Sequence, residues 1–247
     1  MSKIPAVTFT FWVMKILATT LGETGGDFLS KTLELGYGVS SAIFLGFFVI
    51  TFLTQLAVKS YHPAIFWLVI VATSTAGTTM SDYMDRTMKL GYATGSAILV
   101  GILAVIFTIW YFSGESLAVE KIRTRKVELF YWVAILFSNT LGTALGDFLA
   151  DDSGLGFAGG AAVIGSALAL VATAYYFTKI SHVILFWIAF VLTRPFGATM
   201  GDVLVRDRDE GGLGYGTKGA SAVLLGALVV MVLFVTFRPR KADTQAA

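Results

Sequence analysis

The sequence predicts an all-α membrane protein of eight transmembrane helices, built as four parallel two-helix repeats in two pseudosymmetric halves. Three observations predict it. Of 247 residues, 56% are hydrophobic and 14% are charged, where a soluble domain carries roughly 25% charged residues. Eight apolar stretches reach the length of about 20 residues that a helix needs to cross a bilayer. A tryptophan recurs four times with the same residue types behind it at fixed distances, which marks an internal repeat.

The apolar stretches run at about 8–26, 38–58, 62–82, 92–112, 128–148, 157–178, 182–202 and 216–237. The first carries Lys15 inside its apolar run and has no convincing small-residue cleavage site, so a mature helix is expected there rather than a signal peptide. The third opens at His62-Pro63, and proline suits a first helical turn. No gap has room for a soluble domain. A single membrane domain over 1–247 is expected, with repeats at about 8–58, 62–112, 128–178 and 182–237 and halves 1–118 and 119–247. Cysteine is absent, which excludes disulfides and thiolate chemistry. A net charge of +2 gives no basis for nucleic-acid binding. The tail after Arg238 reads as a short unstructured end.

The repeat is anchored by Trp12, Trp67, Trp132 and Trp187. Ten residues after each stands a glycine (Gly22, Gly77, Gly142, Gly197), and fifteen after each an aspartate (Asp27, Asp82, Asp147, Asp202). The chain then reaches Leu-Gly-aromatic at 35–37, 90–92, 155–157 and 213–215. The tryptophans lie 55, 65 and 55 residues apart, so repeats pair into halves offset by 120. Repeats two and four share the only histidines, His62 and His182, five residues before the tryptophan. Their place at helix starts makes them structural or interfacial residues, and the tryptophans are expected to pack or anchor. Each repeat crosses twice, so all four start on the same side, about an axis along the membrane normal.

One set of loops carries Lys3, Lys59, Lys121, Arg123, Arg125, Lys126, Lys179, Arg238, Arg240 and Lys241. The opposite set dilutes its bases with Glu34, Asp85, Asp151, Asp152, Asp207, Asp209 and Glu210. The positive-inside rule then places both termini in the cytoplasm and the four aspartates toward the outer face. The basic linker 119–126 reads as a lipid-surface patch.

Counted from each tryptophan, positions +6, +10 and +14 are small (Ala18, Gly22, Gly26 in the first repeat), and spacing of four lets helix backbones approach closely in lipid. Positions +8, +12 and +15 form a neighbouring stripe: Thr20, Thr24, Asp27; Thr75, Thr79, Asp82; Thr140, Ala144, Asp147; Pro195, Thr199, Asp202. Such a stripe is expected to face a shared axis. Ionisable groups at bilayer depth are costly and point to function. Asp27, Asp82, Asp147, Asp202 and Glu23 against Lys15 and Arg194 leave three negative charges in excess, which favours a cation path. Carboxylates with threonine hydroxyls form a hard oxygen set suited to Mg²⁺, Ca²⁺ or Mn²⁺. Crowded carboxylates do not all ionise together, which permits coupling to protons.

The pattern resembles a bacterial inner-membrane protein family of unassigned function, made of four tandem two-helix repeats with a recurrent tryptophan. The resemblance covers nearly the whole chain and implies the repeat count and a multi-pass inner-membrane location, but no activity. Glu23-Thr24-Gly25-Gly26-Asp27 is also similar to the Glu-x-Gly-Asp motif of cation/proton exchangers, with one residue more and the glutamate in the first repeat alone.

These readings predict a secondary transporter, a proton-coupled exporter of a divalent cation such as manganese. Asp27, Asp82, Asp147 and Asp202 are the expected metal ligands, joined in ion binding by Glu23, Thr24, Thr79 and Thr199; Arg194 and Lys15 balance charge or couple. The alternatives are a non-transporting structural or sensory subunit, or an exporter of small organic cations. No enzyme is expected, because no Ser/His or HExxH arrangement lies at bilayer depth. No cofactor is expected either. The expected partners are the bilayer and the cation, with a homo-oligomer left open.

Overall fold

The computed structural model describes residues 3–122 and 124–237. The expected unstructured tail, and the orientation signals Arg123, Arg238, Arg240 and Lys241, lie outside them. Among the described residues there are eight long helices and no strand: α1 (Phe9–Asp27), α2 (Gly36–Ala57), α3 (Pro63–Asp82), α4 (Tyr92–Phe112), α5 (Arg125–Asp147), α6 (Gly156–Phe177), α7 (His182–Val205) and α8 (Gly216–Phe237). Seven are long and apolar enough to cross a membrane; α1, with Lys15, Glu23 and Asp27 in its 19 residues, is not among them.

Local chemistry sets the helix ends. The Thr8 and Thr124 hydroxyls accept from the backbone N–H of Phe11 and Val127, capping α1 and α5. Pro63 occupies the first turn of α3. In repeats one to three the odd helix does not stop at the aspartate. A single π-helical turn follows (Phe28–Thr32, Tyr83–Thr87, Phe148–Asp152) and carries the helix one turn further. The glycine of Leu-Gly-aromatic then turns the chain back: Gly91 holds φ 73°, a left-handed conformation that costs other residues strain.

The odd helices α1, α3, α5 and α7 pack side by side in chain order, and α7 returns to α1 to close the ring. Each even helix lies outside, mainly against the odd helix of the following repeat: α2 on α3, α4 on α5, α6 on α7, and α8 on α1. Every repeat is thereby clasped by its predecessor. The outer helices are mostly exposed, whereas α3 and α5 are largely enclosed.

Glycine at +10 is what permits the inner ring. A Cβ on Gly77 would stand 2.9 Å from the Asn139 backbone, and one on Gly22, Gly142 or Gly197 would overlap Ser74, Arg194 or Thr19. In each case the neighbour is the +7 residue of the next repeat, so one contact type recurs around the ring. At the opposite end from the aspartates, Lys3 Nζ lies 2.7 Å from the buried Glu128 carboxylate, which also accepts from Gln55 Nε2 at 3.3 Å. That pair ties the start of the chain to α5 and α2.

This packing predicts opposite outcomes for two glycines. Gly77→Ala will lower stability by about 1–3 kcal/mol, the usual cost of overpacking. Gly101 has open space around it, and Gly101→Ala on the exposed face of α4 will be neutral or stabilising by up to about 1 kcal/mol. Thermal unfolding in detergent, scored by loss of the monodisperse peak, checks both.

Candidate functional site: an axial polar column between two closures

The inner ring encloses a column of polar side chains, and its positions are +7 and +11. Thr19, Ser74, Asn139 and Arg194 occupy +7; Glu23, Thr78, Thr143 and Ala198 occupy +11; all are buried. Arg194 on α7 crosses the column. Its guanidinium donates to the Thr19 carbonyl at 3.0 Å, the Ser74 carbonyl at 3.2 Å, the Thr143 hydroxyl at 2.9 Å and the Thr78 hydroxyl. It also pairs with Glu23 at 3.2 Å. One side chain thus touches the other three inner helices. The Glu23 carboxylate accepts from Thr78 at 3.3 Å and from Thr143 at 3.4 Å. Lys15, fully buried one turn further from the aspartates, donates to Asn139 Oδ1 at 3.4 Å and lies 4.1 Å over the Phe190 ring. The Asn139 amide donates in turn to Thr73 at 3.0 Å.

The stripe expected to face the axis faces the outer helices at +12. Thr24 bonds to Ser221 of α8 at 2.8 Å, and Thr199 stands opposite Gly160 of α6. The Thr79 hydroxyl turns back to the Thr75 and Ala76 carbonyls of its own helix, both at 3.3 Å. The inward residues are one position earlier, a rotation of about 100° on a helix.

The four aspartates do come together, as a ring at one end of the column, and three bases four residues beyond them join it. Lys31 lies 2.7 Å from Asp27 and 4.0 Å from Asp82 of the next repeat. Arg86 lies 2.8 Å from Asp82 and 3.5 Å from Asp147 of the next repeat. Arg206 lies 3.9 Å from Asp202 and turns to Glu210 at 3.4 Å. The equivalent position in repeat three is an acid, Asp151. The bases are placed by the π-helical turns, which continue the helix far enough to set Lys31 and Arg86 over their aspartates. They offset much of the charge: Lys15, Arg194, Lys31, Arg86 and Arg206 now stand beside the five acids, but the same turns also bring in Asp85 and Asp151, so a smaller negative excess remains. Among the described residues no group of three or more acidic or histidine side chains is arranged to hold a metal ion.

The other end of the column is closed by aromatic rings. The residue before each tryptophan is aromatic, and it packs on a tryptophan of the next repeat: Phe11 on Trp67 at 5.7 Å, Phe66 on Trp132 at 5.5 Å, Tyr131 on Trp187 at 6.0 Å and Phe186 on Trp12 at 5.7 Å. The sequence reading passed over these −1 aromatics as ordinary apolar residues, although their fourfold recurrence was visible. His62 and His182 lie outside this collar on exposed helix starts, His182 against Tyr175 at 4.4 Å.

Removing one partner of a buried ion pair costs more than removing both, because the survivor is left uncompensated. Arg194→Met will therefore destabilise the protein by about 3–5 kcal/mol, the usual range for such a loss. The double variant Glu23→Gln/Arg194→Met will recover more than half of that loss. Thermal unfolding of both single variants and the double variant measures it; a double-variant loss equal to the sum of the two single losses would show that the pair is not coupled.

No curated protein and no solved structure matches the chain. A family model does, and it matches four times, over residues 10–61, 65–116, 130–181 and 185–241, each match taking in its repeat's anchoring tryptophan, the aspartate fifteen residues later and most of both helices of the unit. With seven helices able to cross a bilayer, this is a multi-pass membrane protein made of internal repeats, and the chain belongs to the family described as Repeat of Unknown Function (DUF347).

Proposed function

We propose that the protein is a secondary transporter that exports a divalent cation such as manganese in exchange for protons along the axis of the inner ring. The observation that carries this reading is the buried polar column itself. It is closed at one end by the aspartate ring with Lys31, Arg86 and Arg206, and at the other by the aromatic collar. A structural bundle has no need of buried Lys15, Arg194, Glu23 and Asn139 on its axis, since apolar residues of similar volume are often no less stable than an ion pair. Closures at both ends of a polar core suit alternating access: one end opens while the other stays shut.

In this reading all eight helices cross the membrane, α1 included, because its charges face the column and not lipid. Both termini lie in the cytoplasm of a bacterial cell, the collar faces inward and the aspartate ring faces out. The cation meets the carboxylates after Lys31 and Arg86 swing aside. Those bases are about one-third exposed, so their pairs are weak enough to exchange. Hard carboxylate oxygens then take the ion, and protons travel in the opposite direction on the same ring.

The ion pairs that Lys31 and Arg86 make to the aspartate of the next repeat favour a second reading, a non-transporting structural or sensory subunit in which the ring only ties repeats together.

Purified protein in liposomes separates the two. An imposed pH gradient will drive Mn²⁺ flux, and Asp82→Asn or Asp147→Asn will lower that flux at least tenfold in protein that remains folded and monodisperse. Absence of gradient-driven flux by the native protein overturns the divalent-cation transport reading. Flux that is unchanged in both variants removes the ring from the path.

A further inference from the structure

Repeat four keeps the glycine and aromatic contacts of the ring but departs from the others at the rim. Its odd helix ends without the π-helical turn: Arg206 N–H returns to Asp202 in an ordinary helical bond, and a short 3₁₀ turn at Arg208–Glu210 follows. The rim ion pairs run from repeat one to two through Lys31 and from two to three through Arg86. Among the described residues none crosses from three to four or from four to one. Asp151, where a base would bridge Asp147 to Asp202, is an exposed acid near the Tyr92 hydroxyl at 3.5 Å. Arg206, where a base would bridge Asp202 to Asp27, is drawn outward to Glu210 and over the Phe157 ring at 4.7 Å. Inside the column, α7 alone carries a proline in its interior, Pro195, which removes a backbone hydrogen bond and bends or loosens the helix there. The adjacent residue is Arg194, whose fan of bonds to α1, α3 and α5 is the main polar attachment of α7 to the rest of the ring. The Thr19 hydroxyl on the Thr193 carbonyl at 3.3 Å and Lys15 over the Phe190 ring at 4.1 Å add to it.

We infer that α7 is the moving element of the bundle, hinged at Pro195 and latched by Arg194 on Glu23. Its aspartate end is held by packing and the Arg206–Phe157 contact alone, since among the described residues no rim ion pair joins repeat four to either neighbour. Repeats one, two and three form the static part. Opening begins at the seam between α5 and α7, where Asp147, Asp151 and Asp202 lack an intervening base. The inference concerns motion and not cargo, so it stands or falls apart from the transport reading.

The absence of native cysteine makes a direct test available. Ala198 on α7 and Ser81 on α3 are both fully buried. Ala198→Cys and Ser81→Cys, made singly, are reacted with a membrane-impermeant maleimide in proteoliposomes. The thiol at position 198 is expected to label at least tenfold faster than that at 81. Adding Asp151→Arg, which supplies the missing base at the seam, will slow labelling at 198 at least threefold and leave 81 unchanged. Adding Glu23→Gln, which weakens the latch, will speed labelling at 198 alone. Equal rates at the two positions, or a rate at 198 that Asp151→Arg does not lower, would overturn the inference. The Asp151→Arg arm tightens the protein, so its reading does not depend on a destabilised variant remaining folded.

Discussion

The close approach of four helices at the +10 glycines is the constraint on which the rest of this structure depends. With any side chain at Gly22, Gly77, Gly142 or Gly197, the neighbouring helix would have to withdraw. Because each glycine receives the +7 residue of the next repeat, the packing that closes the ring also delivers polar side chains to its centre. Thr19, Ser74, Asn139 and Arg194 are therefore both packing residues and lining residues. Lipid supplies no hydrophobic drive between helices, so small-residue contacts and buried polar bonds must hold the bundle. Here the two come from one contact repeated four times.

The repeated contact also explains how fourfold sequence likeness coexists with a single Arg194 and a single Glu23. Arg194 crosses the column and satisfies itself on the carbonyls of Thr19 and Ser74 and the hydroxyls of Thr78 and Thr143. A second arginine at the same level would meet like charge, and a second glutamate beside Glu23 would lack a partner. On the axis, departures from the repeat therefore fall where the four copies meet and identical residues would collide. At the rim the basic +19 position recurs in three repeats, with Asp151 as the exception.

Much of this was legible in the sequence. The tryptophan, glycine and aspartate spacing revealed the repeat. Small residues four apart revealed a packing face, and Asp27, Asp82 and Asp147 are linked at one end of the column through Lys31 and Arg86, with Asp202 beside Arg206. Three things were not legible. The inward face was read at +8 and +12 because its threonines were the more obvious pattern, while +7 and +11 carry Thr, Ser, Asn, Arg, Glu and Ala and look irregular. Lys31 and Arg86 were not expected at the ring because the apolar run ends at the aspartate, and no hydropathy pattern reports that a π-helical turn follows; Arg206 reaches Asp202 from the end of α7 itself. The docking of each even helix on the next repeat, not its own, depends on ring closure, a tertiary property that no single repeat encodes.

The account places the coupling of cation and proton on the aspartate ring, and calorimetry of Mn²⁺ binding tests that most directly. Titrations of the purified protein in two buffers of different ionisation enthalpy yield the number of protons released per ion bound. The account predicts saturable binding with net proton release, both lost when the four aspartates are changed to asparagine. Heat signals that do not saturate, or binding that is equal in the two buffers and survives in the asparagine variant, would contradict it.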